Sequence, residues 1–266
     1  MKTTIYYFTG SGNSLAIARK VAAGLEEAEL VAIAKVFDQE MQVSSRRIGF
    51  VFPVYAYGLP RMVREFVQKI EMPAGAYIFG IASNCGIPGT TLRQLDRVLR
   101  KQGNRLQAGF SVLDERSSLI NDPDNDAIQK LMISSNRSEF PEKSSRRIDE
   151  MVGTIAAEQS APIESSNLLT NILGGVLNPL AAGSFKRMAA EFWTSENCSG
   201  CSSCVRVCPR GNIRLENGRP VWGEDCEMCH ACIQWCPAAA IEFKDLTQSK
   251  PRYKCPGITL QEMLLR

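Results

Sequence analysis

Histidine is all but missing: among 266 residues there is one, His230. Zinc sites built on several imidazoles are therefore excluded. Long apolar runs are missing too, and no stretch approaches the roughly eighteen uninterrupted apolar residues of a membrane-spanning helix. Charge of one sign is lacking, since 31 Lys and Arg stand against 28 Asp and Glu, for a formal net charge of +3 spread along the chain. So weak a basic balance gives no argument for nucleic acid. The first residues, Met1-Lys2-Thr3-Thr4-Ile5-Tyr6-Tyr7-Phe8, enter a strand-like run without signal-peptide anatomy, and the expectation is a cytoplasmic location. Cysteine is scarce over most of the chain, because residues 1–197 contain Cys85 alone.

What is there is an ordinary globular composition, 44% hydrophobic and 22% charged, with one strong concentration. Eight of the ten cysteines fall between residues 198 and 236. Thiols at that density in a reducing compartment do not form structural disulfides. They are free, catalytic or metal-bound. They also obey a repeat of period 28: Cys198, Cys201, Cys204 and Cys208 recur as Cys226, Cys229, Cys232 and Cys236. Pro209 recurs as Pro237, Ile213 as Ile241 and Leu215 as Phe243. A duplicated unit of this size predicts two similar halves around a common core, too short for a solenoid.

The spacing C-x2-C-x2-C-x3-C-P, present twice, carries specific chemistry. Three closely spaced thiolates wrap three irons of one cubane, and the fourth, turned away at the proline, reaches the other cluster. That rule assigns Cys198, Cys201, Cys204 and Cys236 to one [4Fe–4S] cluster, and Cys226, Cys229, Cys232 and Cys208 to a second. Zinc also suits thiolates at C-x2-C, but zinc does not require a C-P repeated at the same offset. Cys226-Glu227-Met228-Cys229-His230 fits the C-x-x-C-H attachment of haem c as well. That attachment needs export, and both cysteines already belong to the larger pattern. Cys255 has no partner spacing and reads as a non-ligand thiol.

Residues 1–163 read differently. Apolar runs at 3–8, 29–34, 47–54, 76–83 and 105–112 predict strands, several near-continuous as in a parallel sheet covered on both faces. Helical stripes lie between them: Leu15, Ala18, Ala22, Leu25; then Met62, Val63, Phe66, Val67, Ile70; then Leu92, Leu95, Leu99. Ile148, Met151, Val152 and Ile155 give a last helix after Ser144-Ser145. Strands alternating with helices predict a doubly wound α/β domain. Residues 113–147 read as a long polar excursion. Residues 164–193, apolar but broken at Gly174-Gly175, Asn178-Pro179 and Gly183, read as a helical connector. Shallow membrane association is the sharper alternative there, although the basic face such helices use is missing. Residues 194–266 form the cysteine-rich domain with a C-terminal tail.

After the first strand comes Thr9-Gly10-Ser11-Gly12-Asn13-Ser14. Such a turn at a helix N-terminus offers converging backbone N–H groups, the positive end of the helix dipole and three hydroxyls, which suits a dianionic monophosphate. The dinucleotide fingerprint fits worse, because its third glycine would fall at Leu15, and no G-K-[ST] follows to make a Walker loop. Pro53-Val54-Tyr55-Ala56-Tyr57-Gly58 follows the third strand and Ser83-Asn84-Cys85-Gly86 the fourth. In a sheet of order 2-1-3-4-5 these three loops meet at the crevice where the strand order reverses. There Tyr55 or Tyr57 can lie against a flat ring, and the Ser-Asn-Cys-Gly turn can bond its polar edge; the plainer alternative is that the tyrosines cap the sheet.

On these residues the chain resembles fused flavodoxin–ferredoxin proteins of anaerobic microbes, from Thr3 to about Ile258. Thr9–Ser14 resembles the flavodoxin phosphate loop, with Gly12-Asn13-Ser14 for its usual G-N-T, and residues 198–237 resemble bacterial two-cluster ferredoxins. The resemblance implies a flavodoxin-like domain joined to an α+β ferredoxin domain, FMN, and two [4Fe–4S] clusters. One departure is the stretch after the fifth strand, where Leu113-Asp114-Glu115-Arg116 replaces a Met-Pro-x-Asn-Tyr-like run. The expected function is electron transfer between FMN and the clusters, to or from a redox protein or small-molecule acceptor, with a homodimer left open. The rival is a flavin-dependent reductase of a small molecule fed by the clusters. A redox sensor would need an output element, and none is found.

Overall fold

The computed structural model describes residues 2–114, 140–167, 171, 183–185, 187–248 and 250–265. Five strands, β1 (Thr3–Tyr7), β2 (Ala28–Ala32), β3 (Arg47–Pro53), β4 (Tyr77–Asn84) and β5 (Ala108–Leu113), form one parallel sheet of order 2-1-3-4-5. Helices α1 (Asn13–Ala23), α2 (Ile33–Val36), α3 (Arg61–Lys69), α4 (Thr91–Arg100) and α5 (Phe140–Ala156) follow the strands in turn. This is the doubly wound topology expected from the alternation, in the strand order that the flavodoxin resemblance implies.

Both faces of the sheet are covered, which is why β3 and β4 are apolar almost throughout. On one face Ile17, Ala18 and Val21 of α1 and Ile148, Met151 and Ile155 of α5 join Ile5, Val51, Phe79 and Ile81. Successive strand residues point to opposite faces, so Tyr6 turns away from that core and meets Phe66 of α3 with ring centroids 5.1 Å apart. Leu92 and Leu95 of α4 pack over Gly80 on this same second face. Each such side chain, fully buried, contributes about 1.5–3 kcal/mol.

Several boundaries differ from the sequence reading, among them the start of β5, at Ala108 rather than 105. The run 29–34 ends as a strand at Ala32, and the buried Ile33 opens the four-residue α2 instead. The last helix begins at Phe140, inside the stretch read as polar excursion. The remainder of that excursion, and most of the connector at 164–193, lie outside the described residues.

A polar staple closes the N-terminal rim of the sheet. Arg47 Nη1 donates to Thr3 Oγ1 at 3.3 Å, and Nη2 donates to the Ala156 carbonyl at 3.1 Å and to Glu158 at 3.3 Å. A cation at the C-terminal end of α5 complements the helix dipole. The Tyr77 hydroxyl donates to the Gln159 carbonyl at 2.8 Å. The opposite rim is left to the loops that follow β1, β3 and β4.

Contacts divide the chain into two compact units: the first holds most residues up to Leu180, and the second runs from Ala181 to Arg266 and takes in Gly10–Gly12 as well. In the second unit β6 (Phe192–Thr194) pairs antiparallel with β9 (Ile241–Phe243), and β7 (Ile213–Glu216) with β8 (Arg219–Trp222). Asn217 (φ 49°) and Gly218 (φ 76°) form the tight β7–β8 turn, as Asn-Gly does in two-residue hairpins. Helices α6 (Ser203–Val207) and α7 (Ala231–Gln234) start 28 residues apart, and α8 (Leu260–Met263) ends the unit. Phe192, Ile213, Ile233, Ile241 and Phe243 make its core together with Cys204, Cys208 and Cys232.

Candidate cofactor and cluster sites

The sheet register places the loops. Pro53 at the end of β3 lies opposite Ser83 near the end of β4, and Val54 N–H donates to the Ser83 carbonyl at 3.0 Å. Beside β3, β1 ends at Tyr7, and the next N–H, of Phe8, donates to the Val51 carbonyl at 2.9 Å. Helix α1 begins at Asn13 with no acidic residue in its first turn. Ser14 is 1% exposed, and its hydroxyl has no hydrogen-bond partner among the described residues.

The second loop is a strained reversal. Tyr55 and Gly58 exchange both backbone hydrogen bonds, at 3.0 and 2.9 Å. Ala56 (φ 46°) and Tyr57 (φ 62°) are both left-handed, as a type I′ turn requires. Neither is glycine or asparagine, so each costs about 1 kcal/mol or more. The Tyr55 ring meets Phe8 edge-on at 5.8 Å.

In the third loop the Asn84 amide is engaged at both ends. Its Nδ2 donates to Ser111 Oγ at 2.8 Å and to the Val112 carbonyl at 3.1 Å, and its Oδ1 accepts from Gly86 N–H at 3.0 Å. Ser83 Oγ donates to Asp114 Oδ2 at 3.2 Å. The Asn84 side chain therefore braces the loop. This loop is locked to the second: Thr90 N–H donates to the Tyr57 carbonyl at 3.2 Å.

Within the second unit, Gly10–Gly12 are held by the C-terminal part of the chain. The buried Trp235 indole donates to the Gly10 carbonyl at 2.9 Å, and Cys255 N–H donates to the Ser11 carbonyl at 3.0 Å. Gly12 has φ +103°, and a Cβ there would stand 3.0 Å from Cys255 Cβ. Cys255, a tail thiol to the sequence reading, is thus a buried packing residue against this turn.

The eight cysteines fall into two electrostatic neighbourhoods. Cys198, Cys201, Cys204 and Cys236 line one cavity of about 320 Å³ of open space, with Ser199 and Leu215 at its wall. Burial pushes the Cys204 thiol up to about 11, with smaller contributions from the neighbouring Cys236 and Cys201. Burial likewise holds Cys229 and Cys232 well above the usual thiol value, and both also feel Cys208 and Cys226. Cys208 thus stands among the second triplet and Cys236 among the first. A bound metal reverses such shifts, because a coordinating thiol is deprotonated outright.

Backbone geometry repeats with the sequence. Asn212 N–H points at Cys208 Sγ (3.3 Å) and Ala240 N–H at Cys236 Sγ (3.4 Å). Left-handed residues recur at the same offset: Gly200 and Met228, Ser202 and His230, Gly211 and Ala239. His230 is half-buried, its Nε2 is enclosed without a partner among the described residues, and desolvation lowers its pKa to about 4, which keeps it neutral at pH 7. Among the described residues no three His, Cys, Asp or Glu side chains converge as a site for a metal ion. No described helix is long and apolar enough to cross a membrane.

Comparison with known proteins assigns residues 192–214 to the 4Fe–4S binding domain family. A 38-residue stretch is 42% identical to an uncharacterized protein of Methanocaldococcus jannaschii, covering 14% of this chain and 11% of that protein. The chain is also similar to an FMN-dependent NADH-azoreductase from Bacillus anthracis (9% identity, 59% of this chain and 100% of that one, TM-score 0.41). An archaeal flavodoxin aligns at 14% identity over 58% of this chain and 99% of its own, with a TM-score of 0.34. With the strand order 2-1-3-4-5 and the 4Fe–4S match, the chain is a flavodoxin-like sheet fused to a ferredoxin-type unit.

Proposed function

We propose that this fusion is an electron-transfer protein of the cytoplasm, holding FMN in the loops at 9–14, 53–58 and 83–86 and two [4Fe–4S] clusters in the cysteine repeat. In this reading residues 1–163 carry the flavin, 194–266 the clusters and 164–193 the connection. The observation that carries it is the crossing of the cysteine sets, with Cys236 beside Cys198, Cys201 and Cys204, and Cys208 beside Cys226, Cys229 and Cys232. Eight thiolates in two fours suit two cubanes.

The phosphate end of FMN is supported by the Ser14 hydroxyl, which has no partner among the described residues, and by an α1 first turn free of carboxylates. When bound, FMN supplies exchange of two electrons or one, while each cubane supplies one. The protein holds the carriers and sets their surroundings. The N–H groups of Asn212 and Ala240 stabilise the charged sulfurs of Cys208 and Cys236, and hydrogen bonds of this kind tune cluster potentials. Ile213, Ile241 and Phe243 keep water from the inner thiolates. No activated nucleophile or acid–base pair is required.

The test begins with protein purified without oxygen, assayed for iron and flavin; the expectation is about eight irons and one FMN per chain. Rapid mixing with a reductant then follows both chromophores, and bleaching of the clusters should be followed by bleaching of the flavin. Flavin that stays oxidised for minutes beside reduced clusters, despite a favourable potential, ends the electron-transfer reading. Fast reoxidation by an added small substrate alone promotes the reductase.

A further inference from the structure

The two halves repeat in sequence but differ in how the fourth ligand is held. Cys208 opens a short loop that two side chains pin to the segment just before Cys226. Arg210 Nε and Nη2 reach Asp225 Oδ2 at 2.7 and 2.5 Å, and the Arg210 side chain is only 8% exposed. Asn212 gives its backbone N–H to Cys208 Sγ at 3.3 Å. Its Nδ2 donates to the Gly223 carbonyl at 3.1 Å, its Oδ1 accepts from Asp225 N–H at 2.8 Å, and its carbonyl accepts from Gly223 N–H at 2.8 Å. One residue therefore touches one ligand cysteine and fixes the backbone next to another.

Twenty-eight residues on, Ala238 stands where Arg210 does and Ala240 where Asn212 does. The N–H···S bond survives there, from Ala240 to Cys236. The Ser195 N–H likewise donates to the Ala240 carbonyl at 2.9 Å, as Gly223 N–H does to that of Asn212. The side-chain clamp from within the loop does not recur: the side chain that holds this loop comes from the tail, Arg252 Nη2 donating to the Ala239 and Ile241 carbonyls at 3.4 and 3.0 Å. Ala238 lines the cavity that also contains Cys201, the one ligand cysteine that is exposed.

We propose that Arg210 and Asn212 are positioning residues that fix Cys208 against the half beginning at Cys226, and that they make the two cluster sites unequal. The site of Cys208, Cys226, Cys229 and Cys232 holds its cluster firmly, and the site of Cys198, Cys201, Cys204 and Cys236 releases its cluster first. The inference rests on the two-cluster reading above. Neither residue touches iron. Ligands already held in place lose less freedom on binding, and losing such outer partners typically costs 10–100-fold in metal affinity.

The experiment uses the full chain purified without oxygen and exposed to an iron chelator. Iron release is followed by absorbance, and the surviving cluster by paramagnetic resonance after reduction. The parent should release iron in two phases of equal size, about tenfold or more apart in rate. Cys198→Ser should abolish the fast phase and Cys226→Ser the slow one. Arg210→Ala and Asn212→Ala install the residues already present in the other half, and they should speed the slow phase by about 10–100-fold while sparing the fast one. Arg210→Lys keeps the charge and should restore part of the retention, which separates the clamp from general damage to the fold. A single phase from a parent with eight irons, or acceleration confined to the fast phase, overturns the inference. A parent that never holds more than about four irons overturns the two-cluster reading itself.

Discussion

Gly89→Ala tests the lock between the loops that follow β3 and β4. Gly89 has φ +57°, and an added Cβ would lie 2.1 Å from the Tyr57 carbonyl oxygen and 2.7 Å from its carbon. Those are backbone atoms, so no side chain can swing aside. Retreat is also blocked from behind, because Gly89 N–H donates to Ser166 Oγ at 3.0 Å and the Gly89 carbonyl accepts from Ser166 N–H at 3.2 Å. Left-handed backbone costs alanine about 1 kcal/mol, and loss of the Thr90–Tyr57 hydrogen bond costs about another. Displacement of the strained turn at Ala56 and Tyr57 adds a similar amount. A total of about 2–4 kcal/mol corresponds to a fall of roughly 5–12 °C in Tm for a unit of this size. Gly75→Ala (φ +73°) and Gly103→Ala (φ +76°) are the controls, since a Cβ at either meets nothing within 4 Å. They should lose only the backbone contribution, roughly 2–4 °C. Thermal melts followed by circular dichroism compare the three, and hydrogen exchange at Thr90 reports whether its bond opens. If Gly89→Ala melts together with Gly75→Ala and Thr90 stays protected, the close approach of the two loops is wrong.

Gly12→Val places a branched side chain where φ is +103° and Cys255 Cβ stands 3.0 Å away; the flavin-to-iron ratio should fall to near zero with iron unchanged, and retained flavin would refute a phosphate site there. Cys208→Ser should remove the cluster of Cys226, Cys229 and Cys232 and leave the one of Cys198, Cys201 and Cys204, leaving about half the iron; paramagnetic resonance showing the opposite loss would mean that each half ligates on its own. Burial pushes Tyr6 and Tyr77 up to about 12. With both values above the unfolded one near 10, the folded chain binds more protons in that window, so this stability is full below about pH 10 and is lost between about pH 10 and 12. Phenolate absorbance should show both tyrosines ionising late, Tyr6→Phe and Tyr77→Phe should flatten the alkaline slope, and ionisation near pH 10 in the folded protein would contradict it.

The parallel sheet was legible because Ile48–Phe52 and Ile78–Ala82 are apolar on both sides of the pleat, which only two covering layers explain. The proline turn at a fixed offset pointed to Cys236 as the neighbour of Cys198, Cys201 and Cys204, with which it lines one cavity. The turn at Tyr55–Gly58 was not, since its left-handed residues are Ala56 and Tyr57, which no turn rule favours. Tertiary contact imposes that conformation. Left-handed Met228 and Ala239 escaped notice for the same reason, although aligning the two halves places them opposite Gly200 and Gly211, whose conformation they share. Asn212 and Arg210 carried no signal, because one half's clamp is absent from the other and a repeat draws attention only to what recurs. The start of α5 at Phe140 was hidden in a polar stretch that lacks the apolar stripe of its later turns.

A small core that counts Cys204, Cys208 and Cys232 among its buried members, and that bends at left-handed Ser202, Met228, His230 and Ala239, has consequences for how the second unit comes to exist. Each of those four bends opposes folding by about 1 kcal/mol, and a unit this short has little apolar surface to set against them. In the proposed reading, iron–sulfur ligation supplies the missing free energy, so ligation and folding become one equilibrium. The abundance of the folded unit then follows the supply of iron and sulfide during synthesis. Chains made in a depleted cell would reach the proteases with their second unit unformed, and the first unit, whose core contains no cysteine, would survive as a separate fragment.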